Sequence, residues 1–128
     1  MTRRVAALCV VAAVIFGACA APRNTLGTRN SACFRSLPTA RAAVHPGGHL
    51  AGVRRVDRGQ LLRVFPQAAP PPGHDFCLVG FSGAYHAEDV DRPAGAPDGR
   101  YAVAIVTMRG TRLVRTFLVD RLPIRLRH

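Results

Sequence analysis

The first twenty residues limit this chain more than any other stretch. Met1–Ala20 opens with Arg3 and Arg4, runs apolar from Val5 to Phe16, and closes on Gly17-Ala18-Cys19-Ala20. The apolar run is 12 residues long, about 18 Å of helix at about 1.5 Å per residue. A bilayer's hydrocarbon core is about 30 Å thick. A charged start, a run too short to span and small residues at the end mark an export signal. A buried N-terminal helix is the alternative, but Arg-Arg directly ahead of an all-apolar run suits export better. Export means that the remaining chain folds without this segment, in a compartment where cysteines pair.

Two cleavage patterns overlap at its end. Phe16-Gly17-Ala18-Cys19 resembles the lipobox of bacterial lipoproteins, in which a small residue precedes a cysteine that receives a diacylglycerol thioether. That family commonly has Leu three places before the cysteine, where this chain has Phe16. The resemblance covers these residues alone. It implies a signal peptide over residues 1–18, a lipidated Cys19, and a mature protein held on the extracytoplasmic side of a cell membrane. Two acyl chains give stable anchoring where one gives marginal binding. Ala18-Cys19-Ala20 also fits an ordinary signal peptidase, with release of a secreted protein after Ala20.

Removal of residues 1–18 leaves 110 residues, the size of one small domain. No other apolar run is long enough to cross a membrane as a helix. The whole chain carries +11; all 18 basic residues are Arg. Arg3 and Arg4 leave with the signal, so 16 Arg against 7 acids give the mature chain +9. The lack of Lys, with abundant Ala, Gly, Pro and Val, points to a GC-rich genome, so part of the arginine content is codon bias. The field still favours anionic lipid, acidic wall polymer or another acidic envelope protein as partner. Nucleic acid is not expected, because no basic motif is interleaved with aromatics.

Cys9 lies in the signal and Cys19 at the proposed lipid site, which leaves Cys33 and Cys77 to form a disulfide. Closing a loop of about 45 residues gives roughly 4 kcal/mol on the chain-entropy model, an upper figure. Residues 19–30 hold one large apolar side chain, Leu26, and read as a flexible tether; residues 31–128 form the domain. Ser31–Val44 contains a short helix starting near Leu37, where Pro38 falls in the first turn. His45-Pro-Gly-Gly-His49 is a turn. Leu50–Val56 and Leu61–Phe65 read as a hairpin around Asp57-Arg58-Gly59, with Leu50, Val53, Val56, Leu62 and Val64 inward.

Pro66–Gly73 is an extended crossing loop. Asp75–Phe81, Tyr101–Met108 and Arg112–Val119 follow as strands rich in apolar residues, separated by a long connection, Ser82–Gly99. In the tail, Leu122, Ile124 and Leu126 alternate with Arg121, Arg125 and Arg127, and Pro123 removes a ladder donor, so this piece is an edge strand or runs off the sheet. The fold class expected is α+β: a short N-terminal helix packed on a curled antiparallel sheet of about five strands, in mostly sequential order. A small all-β barrel or sandwich is the alternative.

Catalytic signatures such as G-x-S-x-G, H-E-x-x-H and the P-loop are absent from the sequence. Ser82 stands between Gly80-Phe81 and Gly83, but a serine so placed is far more often part of a strand-end turn. The acids are few and mostly share one loop, so a spaced pair for glycoside hydrolysis is not expected, with Asp75 and Glu88 the pair left open. His86, Glu88, Asp89 and Asp91 supply imidazole and oxygen donors for a divalent ion, without a calcium-loop spacing. A solvated loop that offsets nearby arginines is the plainer reading. The expectation is a non-catalytic, cofactor-free envelope lipoprotein that contacts acidic partners through Arg112, Arg115, Arg121, Arg125 and Arg127, five arginines in the last 17 residues. A small secreted hydrolase or metal-binding protein using residues 86–91 is the alternative.

Overall fold

A computed structural model of the chain describes residues 31–123 and Leu126. The signal, Cys19, the tether over residues 19–30, Arg125 and Arg127 lie outside the described residues. A 3-10 turn, Ser31–Ser36, leads into helix α1, Leu37–Ala43, with Pro38 in its first turn. There the missing N–H costs nothing, since the first N–H groups of a helix have no partner in it. Strand β1, His49–Val56, is followed by helix α2, Arg58–Val64. The remaining strands are β2, Phe76–His86; β3, Pro93–Gly95; β4, Asp98–Thr107; and β5, Leu113–Val119.

These form one five-stranded sheet, ordered β1-β2-β4-β5-β3. The first four strands pair antiparallel, while β3 lies parallel to β5. The fold is thus broadly α+β with little helix. The sheet is mixed rather than antiparallel and its order is not sequential, because β3 skips past β4 to the far edge. It does not close: β1 and β3 are its edges, which sets it apart from a barrel.

Both faces are covered, which explains why the middle strands lack polar alternation. Every residue of Ala102–Val106 in β4 is buried. On one face Cys77, Val79, Phe81, Ala104 and Val106 pack under Ala40 and Val44. Arg41 lays its guanidinium 5.6 Å from the centroid of the Phe81 ring, a cation–π contact that lets its stem cover apolar surface. Cys33 and Cys77 are joined in a disulfide, with Cα atoms 5.5 Å apart. On the other face Phe76, Leu78, Val103, Ile105 and Phe117 pack under Leu61, Phe65 and Ala68. The Phe65 and Phe117 rings stack with centroids 4.4 Å apart.

Three local expectations change. Leu61–Phe65 is not a strand, and Asp57-Arg58-Gly59 is not a hairpin turn. Asp57 caps a helix: its Oδ1 accepts from the Gln60 N–H at 2.7 Å, and Gln60 Oε1 accepts from the Asp57 N–H at 3.0 Å. This reciprocal capping box satisfies two donors that a helix start otherwise leaves open. Helical spacing then buries Leu61 rather than Leu62, while Leu50 at the free end of β1 is 40% exposed. The tail is not an edge strand over its described residues. Leu122 and Leu126 are buried on the second face, and the Leu126 N–H donates to the Pro123 carbonyl at 2.8 Å. Gly52 and Gly80, paired across β1 and β2, make the hollow that receives them. A Cβ on Gly52 would stand 2.5 Å from the Leu126 carbonyl oxygen.

Candidate functional site

The β4–β5 turn carries the chemistry that stands out. Thr107 organises it. Its hydroxyl donates to the Arg109 carbonyl at 2.7 Å and accepts from the Arg112 N–H at 3.0 Å. Its own N–H donates to the Arg112 carbonyl at 2.9 Å. Thr39 of α1 donates to the Thr111 carbonyl at 3.1 Å, and the Met108 N–H donates to the Asp75 carbonyl at 3.0 Å. The turn is therefore held from inside and from both sides, and it projects Arg109 and Arg112 outward. Gly110 and Thr111 supply the positive φ angles, 72° and 44°, that close it.

Beside this turn lies a hollow of about 860 Å³, within the range of ligand pockets. It is lined by Leu113 and Val114 of β5, by Ala69 and Pro71 of the crossing loop, by Arg92, Arg109, Arg112 and Arg115, and by His74; of the two β5 residues, Val114 packs on the face that carries Ile105 and Phe117. Among the described residues no acidic one lines the hollow. A one-residue bulge between Leu113 and Arg115, opposite Val106 and Ile105, sets Arg115 on the same face of the sheet as Ile105. Arg92 closes the far end, where its guanidinium donates to the Leu113 carbonyl at 3.0 Å. A second hollow, of about 630 Å³, adjoins the first and shares His74 and Arg109 with it. It adds Arg55, Arg58, Asp57 and Asp75. Arg55 donates twice to Asp75 Oδ2, at 2.7 and 3.2 Å. Across both hollows, six arginines against two aspartates leave a formal +4 with histidine uncounted.

Two further features belong to this groove. His74 Nδ1 is buried without a hydrogen-bond partner, a state that costs about 1–3 kcal/mol. The three non-glycine residues with positive φ among those described are Ala69, Arg92 and Thr111. Two of them line the hollow and the third sits between Gly110 and Arg112. Backbone held in such conformations gathers at functional sites.

The expected contact residues are thus divided. Arg112 and Arg115 line the groove. Arg121 does not: it follows the other end of β5, roughly 20 Å away at about 3.3 Å per residue. Arg92 and His74 were missed because only the topology brings them into one hollow with Arg112; Arg109, three residues from Arg112, was read only as part of the turn.

The loop over residues 86–91 is organised differently from a metal site. Asp89 Oδ2 accepts from the His86 N–H at 2.7 Å, and Asp91 Oδ1 meets His45 Nε2 at 2.8 Å. Glu88 is exposed. Among the described residues no group of three or more His, Cys, Asp or Glu side chains is placed to hold a metal ion. Backbone bonds from His45 to Asp89 and from Asp91 to Ala43 tie this loop to the end of α1. Ser82 lies within β2, near a bulge, with its hydroxyl on the His49 carbonyl at 3.4 Å. Comparison with family models, curated proteins and solved structures finds no match for the chain.

Proposed function

We propose that the chain is an exported, lipid-anchored envelope protein whose domain binds anionic partners, without catalysis, through the groove beside the β4–β5 turn. One observation carries this reading: Arg92, Arg109, Arg112 and Arg115 converge on a hollow that, among the described residues, no carboxylate lines. Arg109, Arg112 and Arg115 make no side-chain ion pair among the described residues. Their charge is therefore open to an outside anion, and guanidinium forks suit phosphate and carboxylate. The lipobox-like Phe16-Gly17-Ala18-Cys19 places the domain at the outer surface of a membrane, one tether length away. That setting offers anionic headgroups and acidic wall polymers.

The test is sedimentation of the mature domain with vesicles rich in phosphatidylglycerol, against phosphatidylcholine alone. Binding to the anionic vesicles falls as salt rises. Joint replacement of Arg109, Arg112 and Arg115 by Ala removes most of it, and Arg121→Ala leaves most of it. Equal binding by the triple variant would sink the reading. The anchor is tested separately by the intact mass of the protein made in a lipoprotein-processing bacterium: a diacylated N-terminal Cys19, against an unmodified start at Ala21.

A further inference from the structure

The groove is more than a charged surface, because its walls are apolar. Val114, Ala69 and Pro71 line it together with the four arginines, and Val114 packs on the sheet face that carries Ile105 and Phe117. A flat polyanion would need the guanidinium groups and leave these walls wet. We infer that the groove holds a single amphiphile, an anionic phosphate head carried on a short apolar body, with the head at Arg109 and Arg112 and the body against Val114. This rests on the anion-binding reading and narrows its ligand class.

Three observations point the same way. The hollow has the volume of a small-molecule site. The turn bearing Arg109 and Arg112 is fixed by Thr107 before any ligand arrives, so little ordering is needed on binding. His74, shared by both hollows, is the polar group that the fold leaves unsatisfied beside the proposed head position.

The test is calorimetric titration of the mature domain with octyl phosphate below its micellar range, beside inorganic phosphate and octanol. Octyl phosphate is expected to bind one to one, at least about tenfold tighter than either fragment, since both apolar burial and charge pairing contribute. Arg112→Ala and Val114→Ser each weaken it about tenfold or more, with unchanged far-ultraviolet circular dichroism. Equal affinity for inorganic phosphate would show the walls unused, and equal affinity for octanol would show the arginines unused; either overturns the inference. The ligand series on the unaltered protein decides this even if a variant fails to fold. No octyl phosphate binding, with vesicle binding retained, overturns the amphiphile alone. Loss of both removes the broader reading as well.

Discussion

The Thr107 hydroxyl and the Arg112 backbone N–H hold each other across the β4–β5 turn at 3.0 Å. A buried threonine at the end of a core strand thus sets the position of an exposed arginine. Replacing Thr107 by Val keeps the shape and removes the hydroxyl, leaving the Arg112 N–H and the Arg109 carbonyl without it. Stability should fall by about 1–3 kcal/mol, and anion binding should weaken although no arginine is lost. Thr107→Ser should restore most of both. Urea melts and vesicle sedimentation on the three proteins check this; full binding by the valine variant would separate the turn from the site.

Cys33 and Cys77 are 44 residues apart in the chain. Replacing both by Ala should lower stability by up to about 4 kcal/mol, mainly by freeing the unfolded chain. The expected signs are a lower urea midpoint and a steeper dependence on denaturant, as the unfolded state expands. Reduction of the unaltered protein should give the same midpoint. A change below about 1 kcal/mol would mean that the core fixes this region without the bond.

Gly52 admits the Leu126 carbonyl to the sheet surface. Gly52→Ala should push the C-terminal segment off the hollow that it shares with Gly80, at a cost of about 1–3 kcal/mol. Trypsin should then release the terminal peptide faster than from the unaltered protein. Unchanged release kinetics would show that the segment finds other support.

Burial pushes the Tyr85 phenol above its ordinary value of 10.0. Its hydroxyl donates to the Gly47 carbonyl at 2.8 Å, with the Ser82 carbonyl 3.1 Å away, and a phenolate would have no proton to give. The folded state favours the neutral form. Its contribution to stability is whole below about pH 10 and is lost as the pH rises through the higher folded-state value. Tyr85→Phe should cost about 1–2 kcal/mol near neutral pH and should reduce the alkaline loss. Urea melts from about pH 7 to about pH 11 measure both; parallel curves for the two proteins would contradict the assignment.

The parts of the fold legible in the sequence were those that hydrophobicity controls. Asp75–Phe81, Tyr101–Met108 and Arg112–Val119 stand out as strands because their residues are apolar and many are β-branched. The disulfide was expected from the two cysteines left over once Cys9 and Cys19 were set aside, and Cys33 and Cys77 are joined. Leu61–Phe65 misled because a short apolar run looks alike in strand and helix; the Asp57-x-x-Gln60 spacing was the available signal of a capped helix start. Strand β3 is three residues opening on a proline, and only its pairing with Thr116, Phe117 and Leu118 makes it visible.

The site was half legible for a related reason. Arg112 and Arg115, picked by density in the tail, line the candidate groove, whereas Arg121, picked the same way, follows the other end of β5. Arg92 and Arg109 are 17 positions apart and line one hollow because β3 lies beside β5. The acids divide along the same axis. His86 and Asp98 pair at one end of β2 and β4, while Phe76 and Thr107 pair at the other, roughly 30 Å away at about 3.3 Å per residue. Asp98 thus stands at the opposite end of β4 from the Arg109–Arg112 turn, and Glu88 and Asp89 follow the same end of β2.

The covalent link from Cys33 to Cys77 also determines where mechanical load enters the molecule. Cys77 lies on β2, paired on one side with Arg55 of β1 and on the other with Val106 of β4. Tension on the chain ahead of Ser31 reaches Cys33 within three residues and passes through sulfur into the middle of the sheet, bypassing α1. Pulling from the N-terminus would have to shear two strand ladders together before the domain yields, whereas the same pull after reduction would peel the helix away first.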